Sequence, residues 1–311
     1  MILSRSHSQP RGAALMAVLW LIAILAMACM ATLRVISFDM EIATAKIHGS
    51  RARQVAEMGI AVGSNPAVKR SDPLLHRQGS EGAERYDATV TSEDGRFNIN
   101  YLVQNDKPLL LSIFVGWGLQ PNDALKVIDA LSDWIDADDD ESLNGAEKKY
   151  YEAEGRINQP FNRPFYHLDE ARLVHGMDQI EALRPDWRNW FSVWSSGKLD
   201  LNEASAELIA AAAEVPVEQA QIIPQNVRGE DDQRDTIDDM PFRDPSAAIA
   251  LLGVDPQRPD INSRFTANFA DGTTRIESIG SAEGAKYKIT VILKNRTNEP
   301  VLLERTEEII P

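Results

Sequence analysis

Between Arg11 and Arg34 the chain passes through Gly12 and then 21 residues without a charge, Ala13 to Leu33 (AALMAVLWLIAILAMACMATL). A helix rises about 1.5 Å per residue, so a run of about 20 residues crosses the roughly 30 Å of hydrocarbon in a bilayer. A cleaved export signal has a shorter apolar core and small residues at its far end. Here the pattern continues past Arg34 as VISFDMEIATAKIHGSRARQVAEMGIAVG. Val35, Ile36, Ile42, Ile47, Val55, Met58 and Val62 recur at helical spacing, and no proline interrupts before Pro66. The expectation is one continuous helix, with residues 13–34 in the membrane and 35–65 extending beyond it. Arg5 and Arg11 are the only side-chain charges in residues 1–12, which keeps that end cytoplasmic.

The formal net charge is -15, from 47 acidic and 32 basic residues. Such a chain repels phosphate backbones, so nucleic acid is excluded as a partner. Cys29 is the only cysteine and lies inside the apolar run, so no internal disulfide can brace an exported portion.

Beyond the long helix, two alternating runs, Tyr86–Thr91 and Arg96–Val103, flank Asp94-Gly95 and predict a hairpin. Near the C-terminus, RFTANFA, TRIESIGSA, AKYKITVILKN and PVLLERTEEI predict four more strands. Between these groups the pattern is helical: LLLSIFVGWG, PNDALKVIDALSDWI, LDEARLVHGM, SAELIAAAAEV and DPSAAIALLG. Strands that flank a long helical block imply an insertion into a sheet. The expected divisions are 66–107 for the first part of a helix-and-sheet domain, 108–262 for the inserted helical domain, and 263–311 for the closing strands.

The segment Asp133–Glu154 holds nine acids against Lys148 and Lys149. Asp136, Asp138, Asp140, Asn144 and Glu147 fall at positions 1, 3, 5, 9 and 12 of a twelve-residue loop between two predicted helices. That spacing supplies an all-oxygen ligand set for Ca²⁺, with Ser142 offering its backbone carbonyl and Glu147 both carboxylate oxygens. An EF-hand has glycine at position 6 for a sharp turn, and this chain has Glu141 there. A calcium loop is expected, of a different path, with a structural role. A second acidic run, Gly229–Asp244, has no comparable spacing and reads as an exposed loop.

Other candidate chemistry fails on its residues. LDLNEASAELIAAAAEVPVEQAQII resembles the start of a helix-hairpin-helix unit, but its hairpin reads EVPVEQ, acidic and without glycine. WSSGKL lacks the first glycine of a phosphate loop. The five histidines are scattered, and His167 before Asp169 and Glu170 reads as a helix start. Trp187, Trp190, Phe191 and Trp194 are expected in a core.

A short basic leader ending in Gly12, an apolar run and an amphipathic continuation together resemble the prepilin family. The resemblance implies that a prepilin peptidase cuts between Gly12 and Ala13 and methylates the new amine. Most such proteins carry Glu at the fifth mature position, which here is Ala17. That absence, and the ordered motifs GRFNIN (95–100), DWIDADDDESLNGAEKKYY (133–151), NRPFYHLDE (162–170) and KLDLNEASAE (198–207), resemble the K-type minor pseudopilins of type II secretion. The resemblance implies an α+β fold, a pilin-like long N-terminal helix on an antiparallel sheet with a large α-helical domain inserted between strands. It implies no enzymatic activity, anchoring in the bacterial inner membrane with a periplasmic domain, and I-type and J-type minor pseudopilins as partners in a tip complex. It also implies one or two structural calcium ions, with Asp133 or Asp139 serving a second. The rival expectation from the acidic loop is a membrane-anchored periplasmic metal-dependent hydrolase, although no His or Cys completes a transition-metal site.

Overall fold

The computed structural model describes residues 11–78, 84–267 and 272–310. Residues 1–10, most of the expected leader, lie outside the described residues. Helix α1 (Arg11–Ser64) is a single element of 54 residues. Strands β1 (His76–Gln78) and β2 (Glu84–Ser92) follow. A helical block comes next, with α2 (Ile99–Asn105), α3 (Lys107–Gly116), α4 (Pro121–Ile135), α5 (Lys148–Ala153), α6 (Met177–Leu183), α7 (Ala206–Ala213), α8 (Val217–Ala220), α9 (Ile222–Val227), α10 (Pro245–Leu251) and α11 (Pro259–Asn262). Two short parallel pairings stitch this block together: β3 (Phe97–Asn98) with β4 (Phe191–Ser192), and β5 (Leu199–Asp200) with β6 (Phe265–Thr266). Strands β7 (Thr273–Ala282), β8 (Ala285–Lys294) and β9 (Val301–Ile310) close the chain.

The main sheet is antiparallel throughout, in the order β1-β2-β7-β8-β9. Its central pairing, β2 with β7, joins residues on either side of the whole helical block, which is therefore an insertion between two neighbouring strands. The fold is α+β and pilin-like, as expected.

Two regimes divide α1. Ala14 to Ile47 are exposed around the whole circumference, whereas Ala52, Val55, Ala56 and Ile60 form a buried stripe at helical spacing. The stripe packs on Tyr86, Ala88 and Val90 of β2 and Ile276, Ile289 and Val291 of β7 and β8. Alternation along each strand puts these on one face of the sheet. Helix and sheet meet at backbone distance. A Cβ at Gly280 would lie 2.1 Å from the Ala52 carbonyl oxygen and 2.4 Å from the Ala56 nitrogen, and one at Gly59 would lie 2.2 Å from Ser278 Oγ. At the helix C-terminus Arg296 is buried and donates from Nε to the Gly63 carbonyl (2.7 Å) and from Nη2 to those of Asn65 (3.0 Å) and Val68 (2.7 Å). Those hydrogen bonds take up one carbonyl of the last helical turn and two of the turn that follows it.

The predicted hairpin is corrected. Tyr86–Thr91 does form a strand, but Arg96–Val103 contributes only Phe97–Asn98 before turning into α2. Asn98 caps that helix by accepting from the Tyr101 amide (3.1 Å), and Ile99, Leu102 and Val103 are buried at helical rather than strand spacing. RFTANFA reduces to β6, with residues 268–270 outside the described residues. LDEARLVHGM becomes a 3₁₀ turn, Leu168–Leu173, with His167 Nδ1 accepting from the Asp169 amide, followed by α6. Trp187, Trp190 and Phe191 are buried in the core of the helical block, as expected, while Trp194 lies half-buried at its border and donates to Glu304 of β9 (2.7 Å).

The two cores join through buried ion pairs. Glu93, at the exit of β2, is fully buried and accepts two hydrogen bonds from Arg275 (2.8 and 2.9 Å). Burial alone would raise its pKa, but Arg275 and Arg96 hold it below the ordinary value. Gly280→Ala should lower unfolding stability by about 1–3 kcal/mol, because the methyl group meets helix backbone that cannot rotate away. Gly49→Ala, where a Cβ meets nothing, should be neutral or stabilise by about 1 kcal/mol or less. Urea unfolding of the two full-length variants in detergent compares them directly.

Candidate functional site

The acidic loop begins where α4 ends. Ala124, Val127, Ile128, Leu131 and Trp134 give α4 a buried stripe, and Pro121 begins it at a position where the missing N–H is unneeded. After Ile135 the chain leaves the helix, and Asp136–Glu147 lead into α5, whose first turn Glu147 caps by accepting from the Lys148 amide (3.0 Å). The helix–loop–helix order is the expected one. No residue of 136–147 has positive φ, so the loop turns without the left-handed glycine that shapes an EF-hand.

The sequence-predicted ligands divide into an inner and an outer group. Asp133, in the last turn of α4, is fully buried and both its oxygens accept from the Ser142 amide (3.2 Å). Gly145 presses on the same carboxylate, since a Cβ there would lie 1.8 Å from Asp133 Oδ2. Glu147 is 4% exposed, and Asp136 is half-buried. Asp138, Asp139 and Asp140 are exposed, with Asp138 accepting from the Asp140 amide (3.0 Å). Asn144 turns aside, donating from its backbone and side chain to Asp129 Oδ2 (3.2 and 3.0 Å). Among the described residues, no three His, Cys, Asp or Glu side chains converge as a finished metal cage.

Loss of hydration raises the Glu147 pKa to about 7. The Lys148 amide opposes that shift, while Asp133, Asp136 and Asp139 add to it. Burial also raises the Asp136 pKa, with Asp138 and Asp133 adding to it.

Two residues absent from the sequence-based set, Gln159 and Asn162, also carry buried oxygens without partners. Asn162 donates to the Asp138 carbonyl (2.7 Å) and to Asp139 Oδ1 (3.0 Å), closing the loop from the segment after α5. Four side-chain oxygens there are buried and accept no hydrogen bond: Asp136 Oδ1, Glu147 Oε1, Gln159 Oε1 and Asn162 Oδ1. Each such group costs about 1–3 kcal/mol when left without a donor. A donor set of carboxylate and amide oxygens fits a hard divalent cation of calcium type, which needs six to eight oxygens and no nitrogen or sulfur. Asp136, Glu147, Gln159 and Asn162 each carry such an oxygen, and Asn162 is bonded directly to the loop through Asp138 and Asp139. Asn162 opens the NRPFYHLDE motif, so its sequence signal was present, but nothing in the spacing tied it to the loop.

The second acidic run closes on itself. Thr236 Oγ1 donates to Asp238 (2.8 Å) and Asp239 (3.1 Å), and Asp238 accepts from the Glu230 amide (2.7 Å). The remaining candidate feature is α1, which alone among the described residues is long and apolar enough to cross a membrane, its most apolar window reaching a mean hydropathy of 2.6. Gly12 and Ala13 both lie within its first turn.

Comparison with known proteins gives concordant findings. Residues 95–185 match the family model for type II secretion system (T2SS) protein K, a span that runs from the joint after β2 through the acidic loop to the end of α6. The match lies within the inserted helical block. Within that span fall the acidic loop and the segment after α5 that carries Gln159 and Asn162. The type II secretion system protein K of Klebsiella pneumoniae is 35% identical over 101 residues, covering 29% of this chain and 31% of that protein. The match thus spans about a third of the relative's length. A chain in the crystal structure of the GspK-GspI-GspJ complex of the enterotoxigenic Escherichia coli type 2 secretion system shares the fold. The TM-score is 0.60 at 16% identity, over 88% of this chain and 99% of that one. The fold resemblance reaches well beyond the family-model match, into α1 and the sheet.

The raised Glu147 carboxyl makes a prediction for the metal-free protein. It ionises near its ordinary 4.5 in the unfolded chain and near 7 in the folded one, so the folded state binds the extra proton between these values. The stability contributed by this group should therefore be fully present below about pH 4.5 and be lost as pH rises through about 7, against the opposite trend of carboxylates held low by arginines, such as Glu93 and Glu307. Buried Asp200, pushed to about 7 chiefly by loss of hydration, adds to the loss. In chelator, Glu147→Gln should raise the melting temperature at pH about 8 and leave it unchanged at pH about 4, removing its share of the slope. An unchanged slope would remove Glu147 from the account.

Proposed function

We propose that this chain is the K-type minor pseudopilin of a bacterial type II secretion system. It is a non-catalytic subunit that forms the tip of the periplasmic pseudopilus with I-type and J-type partners and supports protein export across the outer membrane. The observation that carries the reading is the placement of the protein K match: it interrupts a pilin-like sheet between β2 and β7, on a chain whose N-terminal helix is exposed from Ala14 to Ile47. A helix so apolar and so long is stable either in lipid or among other helices, and a filament built from such helices offers both in turn. Nothing comparable supports the membrane-tethered hydrolase.

In this reading prepilin peptidase cuts after Gly12, Ala13 becomes the methylated N-terminus, and residues 13–34 anchor the subunit in the inner membrane before assembly. Ala17 leaves the apolar segment without the carboxylate that other pilin-type subunits place at the fifth mature position. A carboxylate in lipid is costly unless paired, and a terminal subunit has no neighbour above it with which to pair. The bulk of the inserted domain, carried at the end of the sheet where β2 finishes and β7 starts, blocks further stacking.

Calcium belongs to the same reading as a structural ion held by the acidic loop and the segment after α5. Bound at a hundredfold excess over its dissociation constant, it would stabilise the fold by about 2.7 kcal/mol. Addition of about 1 mM calcium to chelated full-length protein should then raise the melting temperature by about 4–10 °C, and Glu147→Gln should abolish the rise. No calcium response in the parent would remove the ion. The processing claim is checked by the intact mass of protein extracted from membranes: a chain beginning at methylated Ala13 is expected, and one beginning at Met1 contradicts it.

A further inference from the structure

The sheet has a second face, turned away from α1. Directly opposed residues in antiparallel strands share a face, and the pairs Asp87↔Ile279, Arg85↔Ser281 and Lys286↔Ile310 put Arg85, Asp87, Ile279, Ser281, Lys286 and Ile310 on that side, opposite Tyr86, Ala88 and Val90. Together with Arg77 they line a concavity of about 400 Å³ at one end of the sheet. Its charge is unlike the rest of the chain. Acids outnumber bases 47 to 32, and many arginines elsewhere are held by carboxylates, as in Arg264–Asp106 (2.7 Å) and Arg53–Glu307 (2.8 Å). Arg77, Arg85 and Lys286 are exposed, and among the described residues none has an ion pair or side-chain hydrogen bond. Asp87 is the one carboxylate among the described lining residues, and His76 engages it (2.6 Å).

The position of this cavity limits what can fill it. Gly280 abuts Ala52, so the end of the sheet where β2 starts and β7 finishes is the end nearer the apolar run. The 18 residues from Arg34 to Arg51 span about 27 Å of helix, and the two residues beyond Gly280 bring the sheet back by about 7 Å. The cavity therefore stands roughly 20 Å from the end of the apolar run, well beyond the 5–8 Å of a headgroup layer. A lipid phosphate does not reach it while the helix is upright. A folded domain carried on a parallel helix and set lower along it does.

We propose that this basic concavity is the docking surface for a carboxylate-rich segment on the subunit seated immediately below, an I-type or J-type pseudopilin. Ile279 and Ile310 provide an apolar floor, and the three unpaired cations set the sign of the partner surface. The choice of occupant rests on the pseudopilin reading above.

The test uses the full-length protein in detergent, with the full-length I-type and J-type pseudopilins of the same secretion system as probes. The combined variant Arg77→Glu, Arg85→Glu, Lys286→Glu should bind at least one of them tenfold or more weakly than the parent, with an unchanged melting temperature. Arg85→Gln with Lys286→Gln should lose less. The distant reversal Lys198→Glu with Lys294→Glu should bind like the parent, and raised salt should weaken the parent more than the triple variant. Parent-like binding by the triple variant, or equal loss by the distant control, would overturn the surface while leaving the pseudopilin reading intact. A parent that binds neither probe would overturn that reading and the occupant with it. Lysine-directed labelling in nanodiscs gives the lipid arm: protection of Lys286 in phosphatidylglycerol but not phosphatidylcholine, without any subunit, would assign the cavity to headgroups and overturn the proposal.

Discussion

The contact on which the rest of the molecule depends is the close approach of α1 to the sheet. Gly280 lets the Ala52–Ala56 stretch of helix backbone rest directly on β7, and Gly59 does the same beside Ser278. Because the approach is made by backbone, it fixes the height and tilt of the sheet on the helix more tightly than interdigitated long side chains would. Arg296 then ties off the helix end by binding three carbonyls, and Arg53–Glu307 and Arg305–Glu57 hold the edge strand β9 to the same helix. Everything beyond Ser64 is thereby oriented relative to the long apolar run of α1. The inserted domain is carried at the far end of the sheet, and the basic concavity lies at the end nearer the apolar run.

The inserted domain has a different problem. Its aromatic core around Phe114, Trp134, Trp187 and Phe191 is buried, yet Asp136, Glu147, Gln159 and Asn162 each keep one buried oxygen without a donor. Protons relieve part of that cost, which is why the Glu147 carboxyl is held near neutrality. A divalent cation would relieve more of it, and would bind the α4–α5 loop to the segment carrying Gln159 and Asn162. In a chain whose one cysteine is Cys29, that link would take the place of a covalent one.

What the sequence revealed depended on whether the determining contact was local. The bounds of α4 follow from Pro121 and an apolar stripe, and β7 and β8 follow from alternation on either side of the Glu283-Gly284 turn. Arg96–Val103 was misread because its first residues alternate, while the apolar positions from Ile99 onward also fit a helix, and the Asn98 cap decides between the two. The pairing of β2 with β7 could not be found by local reasoning, since it spans the insertion. The same limit applied at the acidic loop. Spacing put Asp136 and Glu147 in one loop between two helices, but Asn144 is taken up by Asp129 on the preceding helix, and Gln159 and Asn162 follow α5, out of reach of that spacing.

The central claim is that this subunit occupies one end of a filament. It is tested most directly by imaging assembled pseudopili with a label fused into the exposed 229–244 loop of the inserted domain. The account predicts a single label at one extremity of each pseudopilus. Labels spaced along the filament would show that further subunits stack above this one, and would contradict it.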